Sequence, residues 1–319
     1  MKKTFLITID TEGDNLWQWK YGDEITSHNA EYLERFQTLC EEYGFKPVYL
    51  TNYEMATNDT FVEMAKKCLK NGTCEIGMHL HAVNNPPIGN DPSVDYPQNF
   101  PFLIEYSDEM MEKKITYQTK LLEDTFEEKI ITHRAGRWAM DKRYEKLLIK
   151  YGYKIDCSVT PGIDWSDTGG MSKGSKGSDY SNSPTTPYYL DEGHQLLEVP
   201  VTTRRLRRGF FKSLDVKDLL RMGKHYVFGQ EFWLRPNGNN WQEMKYLLHN
   251  IYTSSDDYIM FMLHSSELMP NGSPTFTTVE SIERLYNTIR NVFEEASKYY
   301  VGKTLRGYAE EKQLIKLKS

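Results

Sequence analysis

Cysteine is scarce. The four present, Cys40, Cys68, Cys74 and Cys157, form no CxxC pair and no framework spacing. That argues against a zinc ribbon and against thioredoxin chemistry, and it fits a reducing compartment. Long apolar runs are also missing: no stretch approaches the roughly 20 residues of a membrane-spanning helix. The N-terminus, MKKTFLITIDTEGD, starts basic but turns acidic after a short apolar stretch. A signal peptide needs a longer apolar region and a small-residue cleavage site. The segment reads as a first β-strand, and a cytoplasmic protein without an integral membrane segment is the expectation. Basic charge is short as well. The net charge is -6, so no nucleic-acid partner is expected, since such a binder wants a basic domain. One basic run stands out, Thr203-Arg204-Arg205-Leu206-Arg207-Arg208. It is either a solvated patch or a phosphate site at the mouth of a cleft.

The composition itself, 39% hydrophobic and 26% charged, is that of a globular chain. A length of 319 residues suits one large domain or two small ones and buries a core without disulfides. The 22 tyrosines and 6 tryptophans offer flat faces that suit sugar rings, or simply cover the surface.

Strand-like and helix-like segments alternate. Strands are expected over residues 4–9, 46–50, 74–81, 130–133, 154–158, 196–201 and 258–263. Helices are expected over 29–43, 59–70, 108–126, 144–151, near 215–226, and over 241–253 and 278–300, with a short segment at 303–308 closing the chain. A Gly/Ser/Pro-rich segment at 162–190 is long enough to be functional, with its 166–187 part a candidate lid. The alternation predicts an α/β fold with parallel strands, either an open sheet or a barrel, in one domain over 1–319.

Ionisable residues gather where those strands end. Asp10, Glu12 and Asp14 follow the first strand, His79 and His81 end the third, and Arg134 follows the fourth. Asp156 lies in the fifth, with Asp164 beyond it, and His264, Ser265 and Glu267 follow the last. In parallel α/β folds the C-terminal strand ends converge on the active site. Strand residues two apart share a face, so both imidazoles of His79-Leu80-His81 can aim at one ion. The alternative is an ordinary strand pair, one histidine in the core and one at the strand end. Neutral imidazole suits zinc, iron, cobalt or nickel. A catalytic site takes about three protein ligands and leaves one position open. The third ligand should be an acid, and Asp10-Thr11-Glu12 has the same two-residue spacing. One of its carboxylates would bind metal while the other takes a proton. His264 is the candidate acid for a leaving group, and Arg134 a partner that keeps the base ionised.

Five motifs in order, Asp-x-Glu at 10–12, EIGMHLH, HRAGRW, IDCSVTP and FMLHSSE, resemble the polysaccharide deacetylases with the NodB homology domain, carbohydrate esterase family 4. The resemblance covers most of the chain from about Thr4 onward. DYSNSPTTPYYLDEG and LLEVPVTTRRL look like the branch found among surface-polysaccharide and O-antigen biosynthesis proteins. It implies a deformed (β/α)7 barrel and one divalent transition metal, zinc first, with cobalt, iron or nickel as alternatives. Asp10 matches the base. Thr11 stands where the family has its metal-binding acid, so that role shifts to Glu12, with Asp14 as substitute. His79 matches the first histidine. Val83 occupies the usual place of the second, so His81 must replace it. Arg134 matches the arginine that orients the base, and His264 the late histidine. Trp17, Trp19 and Tyr21 are candidates to stack on the sugar. Arg137, Trp138, Asp164 and Arg204 complete the expected substrate contacts. The implied reaction is removal of an N- or O-acetyl group from a sugar, free or linked to a nucleotide or lipid. Two other readings stay open. One is a metal-dependent phosphoesterase or amidohydrolase, which usually places HxH on its first strand. The other is a non-catalytic sugar-binding module.

Overall fold

The computed structural model describes residues 2–20, 23–88, 100–207 and 229–316. The strands are β1 (Lys3–Thr11), β2 (Pro47–Thr51), β3 (Glu75–Leu80), β4 (Thr132–Ala135), β5 (Ile155–Asp156), β6 (Tyr188–Tyr189), β7 (Leu197–Glu198), β8 (Thr203–Leu206), β9 (Gln230–Trp233), β10 (Tyr258–His264) and β11 (Tyr300–Gly302). The main sheet runs β10-β1-β2-β3-β4-β5-β7-β6. Every neighbour pair is parallel except β6 with β7. β11 pairs with the start of β1, below the stretch that β2 occupies. The sheet curls into the deformed barrel of seven parallel strands that the motifs implied.

The barrel is deformed because β7 and β10 do not pair. Other bonds span the gap: Tyr258 Oη donates to Pro200 O (2.6 Å), Met260 N to Thr202 Oγ1 (2.8 Å) and Met262 N to Leu234 O (3.2 Å). The strands are nearly continuous apolar runs because both of their faces are buried. Alternation decides which face each residue takes. Phe5, Ile7 and Ile9 pack with the helices, as do Ile76, Met78, Leu80, Ile259, Phe261 and Leu263. Leu6, Val48, Leu50, Ile155, Cys157, Tyr258 and Met260 fill the lower interior with Leu305 and Tyr308. Asp10, His79, Arg134 and His264 share that inward parity one or two steps higher. The interior therefore turns from apolar to ionisable toward the strand C-termini.

The helices are α1 (Leu33–Glu42), α2 (Tyr53–Ala56), α3 (Asp59–Lys70), α4 (Asp108–Phe126), α5 (Lys142–Lys150), α6 (Trp241–Thr253), α7 (Val279–Tyr299) and α8 (Leu305–Glu311). Side-chain caps start six of them; for the longer ones, Asn58 accepts from Phe61 N, Ser107 from Met110 N, Asp141 from Arg143 N and Tyr144 N, and Thr278 from Ser281 N.

The structure differs from the expectation in several places, and it adds the unexpected β6, β9, β11 and α2 while shortening the strands expected over 154–158 and 196–201. The helix expected from residue 29 starts at Leu33, after a 3₁₀ turn over His28–Tyr32. Residues 203–206 of the basic run form a strand, β8, paired antiparallel with β9. The closing segment expected over 303–308 leads into a helix, Leu305–Glu311, that plugs the barrel floor. The 162–190 segment carries its own pairings, Asp164 with Asp179 and Gly169 with Lys176, and is pinned where Met171 N, Ser172 N and Ser172 Oγ donate to Glu105 Oε1. The expected helix near 215–226, Tyr21 and Arg208 lie outside the described residues.

Candidate active site

At the C-terminal mouth of the barrel lies a cavity of about 370 Å³ lined by Asp10, Glu12, Leu16, Trp17, His79, His81, Ala135, Arg137, Trp138, Trp165, Arg235 and His264. The strand register builds it, since Asp10 sits beside His264 and His79 beside Arg134.

Three ligand-type atoms converge on its floor. One atom each from Glu12, His79 and His81 lies within 4.8 Å of the other two. Glu12 Oε2 is 2.9 Å from His81 Nε2 and 3.4 Å from His79 Nε2. His79 Nδ1 lies 3.0 Å from the Arg134 carbonyl, so Nδ1 carries the proton and the Nε2 lone pair faces Glu12. Glu12 Oε2 is buried and has no hydrogen-bond partner among the described residues. A buried carboxylate oxygen left in that state is costly, and a shared cation would satisfy it. One carboxylate and two imidazoles also form the ligand chemistry of a three-residue site for zinc-like ions. The residues present therefore fit a divalent transition metal. Asp14 is not among them: it accepts from Thr26 Oγ1 and from Asn29 N (3.3 Å) and holds the loop.

The loop that carries Glu12 is itself fixed. Asn29 Nδ2 donates to Glu12 O and to Ser265 Oγ, both at 2.8 Å. That fully buried duty explains why the chain makes a 3₁₀ turn here instead of extending α1. Gly13 N donates to Glu54 Oε1 (2.5 Å), and a Cβ on Gly13 would come within 2.3 Å of Ile25 Cγ2. Beyond His81, the buried Lys114 ammonium matches its three N–H bonds to the carbonyls of Ala82 (3.0 Å), Asn85 (2.6 Å) and Pro87 (2.9 Å). Burial lowers its pKa to about 8, and it has no carboxylate partner among the described residues.

Asp10 and Arg134 form a buried pair. Arg134 Nη1 donates to Asp10 Oδ1 (2.5 Å), Nη2 to Thr8 Oγ1 (3.0 Å) and Nε to Cys157 O (2.9 Å). Burial pushes the Asp10 carboxyl up, but Arg134 first and then His79 and His264 pull it below its usual value. Glu12 ends well below its own for a related reason: burial opposes ionisation, and His81, His79 and His264 outweigh it. Both acids are thus carboxylates near neutral pH. His264 Nε2 faces them, 3.7 Å from Asp10 Oδ2 and 3.9 Å from Glu12 Oε1. Its Nδ1 side meets Arg235 Nη2 (2.9 Å) and Glu267 Oε2 (3.2 Å).

Aromatic rings wall the cavity. Trp17 packs edge-on against His264, with ring centroids 5.0 Å apart. Trp138 and Trp165 are stacked (6.4 Å, 11° between planes), with Trp233 edge-on to both. Arg137 and Trp138 have left-handed backbones, φ 55° and φ 60°, an arrangement that costs non-glycine residues roughly 1–2 kcal/mol each.

The expected residues divide on these observations. Asp10, Glu12, His79, His81, Arg134, His264, Trp17, Arg137 and Trp138 meet in or against the cavity. Trp19 does not line it; its indole donates to Asp23 O (2.8 Å). Asp164 accepts from Ser166 N (2.8 Å) in a local turn, outside the lining. Arg204 is tied to Asp256 (3.0 Å) and Thr203 O (2.8 Å), near the start of β10 and far from His264 at its end. Asp156 has the outward parity and bonds His133 Nδ1 (2.6 Å) on the helix side. Sequence reading missed Trp165, Trp233 and Arg235. Arg235 had a usable signal, an arginine directly after the apolar run Phe232-Trp233-Leu234, which is the cue that marks Arg134.

Glu54 gives a pH prediction. Burial lifts its carboxyl to about 7, so between about pH 4.5 and 7 the folded state keeps a proton that the unfolded chain releases. The sign follows: stability declines as pH rises through that window, by about 3 kcal/mol in total at 1.36 kcal/mol per unit. In Glu54→Gln that decline should be absent. The check is the unfolding free energy from urea melts at pH 5 and pH 8, with a chelator present, wild type minus variant. Equal slopes in the two proteins would refute it.

No protein-family model matches the sequence, and no curated protein matches it. Solved structures do. A candidate polysaccharide deacetylase from Mycobacterium smegmatis is similar over 100% of this chain and 94% of its own, with 14% identity and a TM-score of 0.54. A 4-alpha-glucanotransferase from Thermococcus litoralis is similar over 98% of this chain and 40% of its own, with 13% identity and a TM-score of 0.54. A GH57-type branching enzyme from Pyrococcus horikoshii covers 98% and 71%, with 11% identity and a TM-score of 0.53. The chain has the NodB-like barrel fold of the polysaccharide deacetylases, a fold shared with glucan-processing enzymes. No described helix is long and apolar enough to cross a membrane.

Proposed function

We propose that the protein is a metal-dependent carbohydrate deacetylase whose catalytic domain spans residues 1–319 and removes an N- or O-acetyl group from a sugar. The observation that carries this reading is the Glu12–His79–His81 cluster beside an ionised Asp10 and a facing His264, under tryptophan walls. Glu12, His79 and His81 would hold the ion, zinc first, with cobalt, iron or nickel as alternatives. When bound, such an ion polarises a carbonyl and acidifies water. The chain supplies the remaining functions. Asp10, kept ionised and oriented by Arg134, accepts the proton of the attacking water. His264 Nε2 delivers a proton to the departing amine or alkoxide, while Arg235 and Glu267 fix the ring from its Nδ1 side. Trp17, Trp138 and Trp165 offer faces for the sugar and exclude water.

The structural relatives that process glucans suggest glycosidic chemistry, but that needs two carboxyl groups free to flank one bond. Here Asp10 is committed to Arg134 and Glu12 to two histidines. An acetylated sugar of a surface polysaccharide, handled in the cytoplasm, is the substrate class that accords with the sequence motifs.

The test is metal content by plasma mass spectrometry, together with acetate release from a panel of N- and O-acetylated sugars. Wild type should carry about one equivalent of a transition metal, as a three-ligand site requires, and release acetate. His79→Ala/His81→Ala should do neither. A wild type that stays metal-free after reloading would overturn the reading.

A further inference from the structure

We propose that the sugar bound here carries an anionic substituent, a carboxylate or a phosphate ester, and that Arg137 selects it. The inference rests on the carbohydrate reading above and adds the charge of the substrate.

Arg137 lines the cavity and is exposed, and among the described residues it has no hydrogen bond or ion pair. Among the described residues, the other arginines at the cavity have carboxylates in place: Arg134 has Asp10 at 2.5 Å, and Arg235 has Glu267 at 3.1 Å. Arg137 is the arginine left over. A divalent ion on Glu12, His79 and His81 would outweigh the single charge of Glu12 and leave the cavity positive.

The backbone holds the arginine there. Gly136 turns so closely over β3 that a Cβ would lie 2.4 Å from Leu80 O, which fixes where the turn begins. Arg137 and Trp138 then both take left-handed conformations. Two consecutive strained non-glycine residues mark a functional segment more than a solvated surface arginine, which needs no such backbone. The same segment supplies Trp138, stacked with Trp165. One short turn therefore presents a ring face and an unpaired guanidinium together. Arg204 and Arg205, the alternative anion site in the sequence, are paired with Asp256 and Glu231. A guanidinium takes carboxylate and phosphate oxygens alike in a two-pronged contact, so the ligand series must separate them.

The experiment is a tryptophan-fluorescence titration of the full chain, freed of metal by a chelator. The probes are N-acetylglucosamine, its anomeric phosphate ester and N-acetylglucosaminuronic acid, at low and high salt. At low salt at least one acid should bind about tenfold tighter than the neutral sugar, and high salt should shrink that ratio. Which acid wins identifies the source of the anion. Arg137→Gln should bring the ratio below about two, and Arg137→Lys should leave an intermediate value because it keeps the charge but loses the fork. Circular dichroism of both variants confirms the fold. A wild-type ratio near one, a preference that survives Arg137→Gln, or no binding of any probe would overturn the proposal. Acetate release by metal-loaded wild type scores the deacetylase reading separately. Its failure beside an intact charge preference removes the reaction and keeps the selectivity, and the reverse pattern removes only the selectivity.

Discussion

Replacing Arg134 by methionine is expected to lower the stability of the fold by about 3–5 kcal/mol, the range for removing one partner of a buried ion pair. Arg134 is fully buried and Asp10 is 2% exposed, so water cannot take over the lost contacts. Methionine fills much of the volume but satisfies neither Asp10 Oδ1, nor Thr8 Oγ1, nor the Cys157 carbonyl, which all bond the guanidinium. The sequel is specific. With its main counter-charge gone, burial dominates at Asp10 and its pKa rises. The double variant Arg134→Met/Asp10→Asn should therefore lose clearly less than the sum of the single losses, by about 1–3 kcal/mol, the coupling expected of contacting residues. Urea melts of the four proteins measure this. A single Arg134→Met variant within about 1 kcal/mol of wild type, the size of an exposed-pair effect, would show that the pair is not buried as described.

Much of the fold was legible because local and global signals agree. The helices over Asp59–Lys70 and Asp108–Phe126 start and stop where the sequence places them. Each has a polar capping residue in front and an amphipathic repeat behind it. Period-two alternation was legible too. It puts Asp10, His79, Arg134 and His264 on one interior face, and the helix-side parity of Asp156 follows from the same rule. What stayed hidden depends on tertiary closure. β8 reads as a charge run because its arginines are paired with Asp256 and Glu231, residues distant in sequence. β11 is three residues long and continuous with α7. Trp165 reaches the cavity from a loop pinned to Glu105, with its indole donating to Thr160 Oγ1 (2.8 Å). Arg204 and Asp164 lie outside the cavity lining for the converse reason, since nearer partners claim them first. Asp14 stands apart from the convergent cluster because of a hydrogen bond, that of Thr26 to Asp14, which no spacing rule foresees.

Asp10→Asn is expected to reduce kcat on whichever acetylated sugar proves to be the substrate by about 10²–10⁴-fold, the contribution of a positioned general base. The change is nearly isosteric and keeps an oxygen for Arg134 Nη1, so the fold should survive it. Asn cannot accept the proton of water, which separates a chemical role for Asp10 from a structural one. It also sits beside the proposed metal ligands without belonging to them: the convergent set is Glu12, His79 and His81. Metal content should therefore stay near that of the wild type while turnover falls, and KM should change far less than kcat, as for an interaction made only in the transition state. Glu12→Gln should invert the pattern by losing metal first. It replaces a carboxylate by a weaker neutral ligand and sets an amide against two imidazoles. Measuring kcat, KM and bound metal for the two variants side by side decides the assignment. If Asp10→Asn loses its metal while Glu12→Gln keeps it, the two carboxylates have exchanged roles. If Asp10→Asn turns over at the wild-type rate, Asp10 serves only to neutralise Arg134.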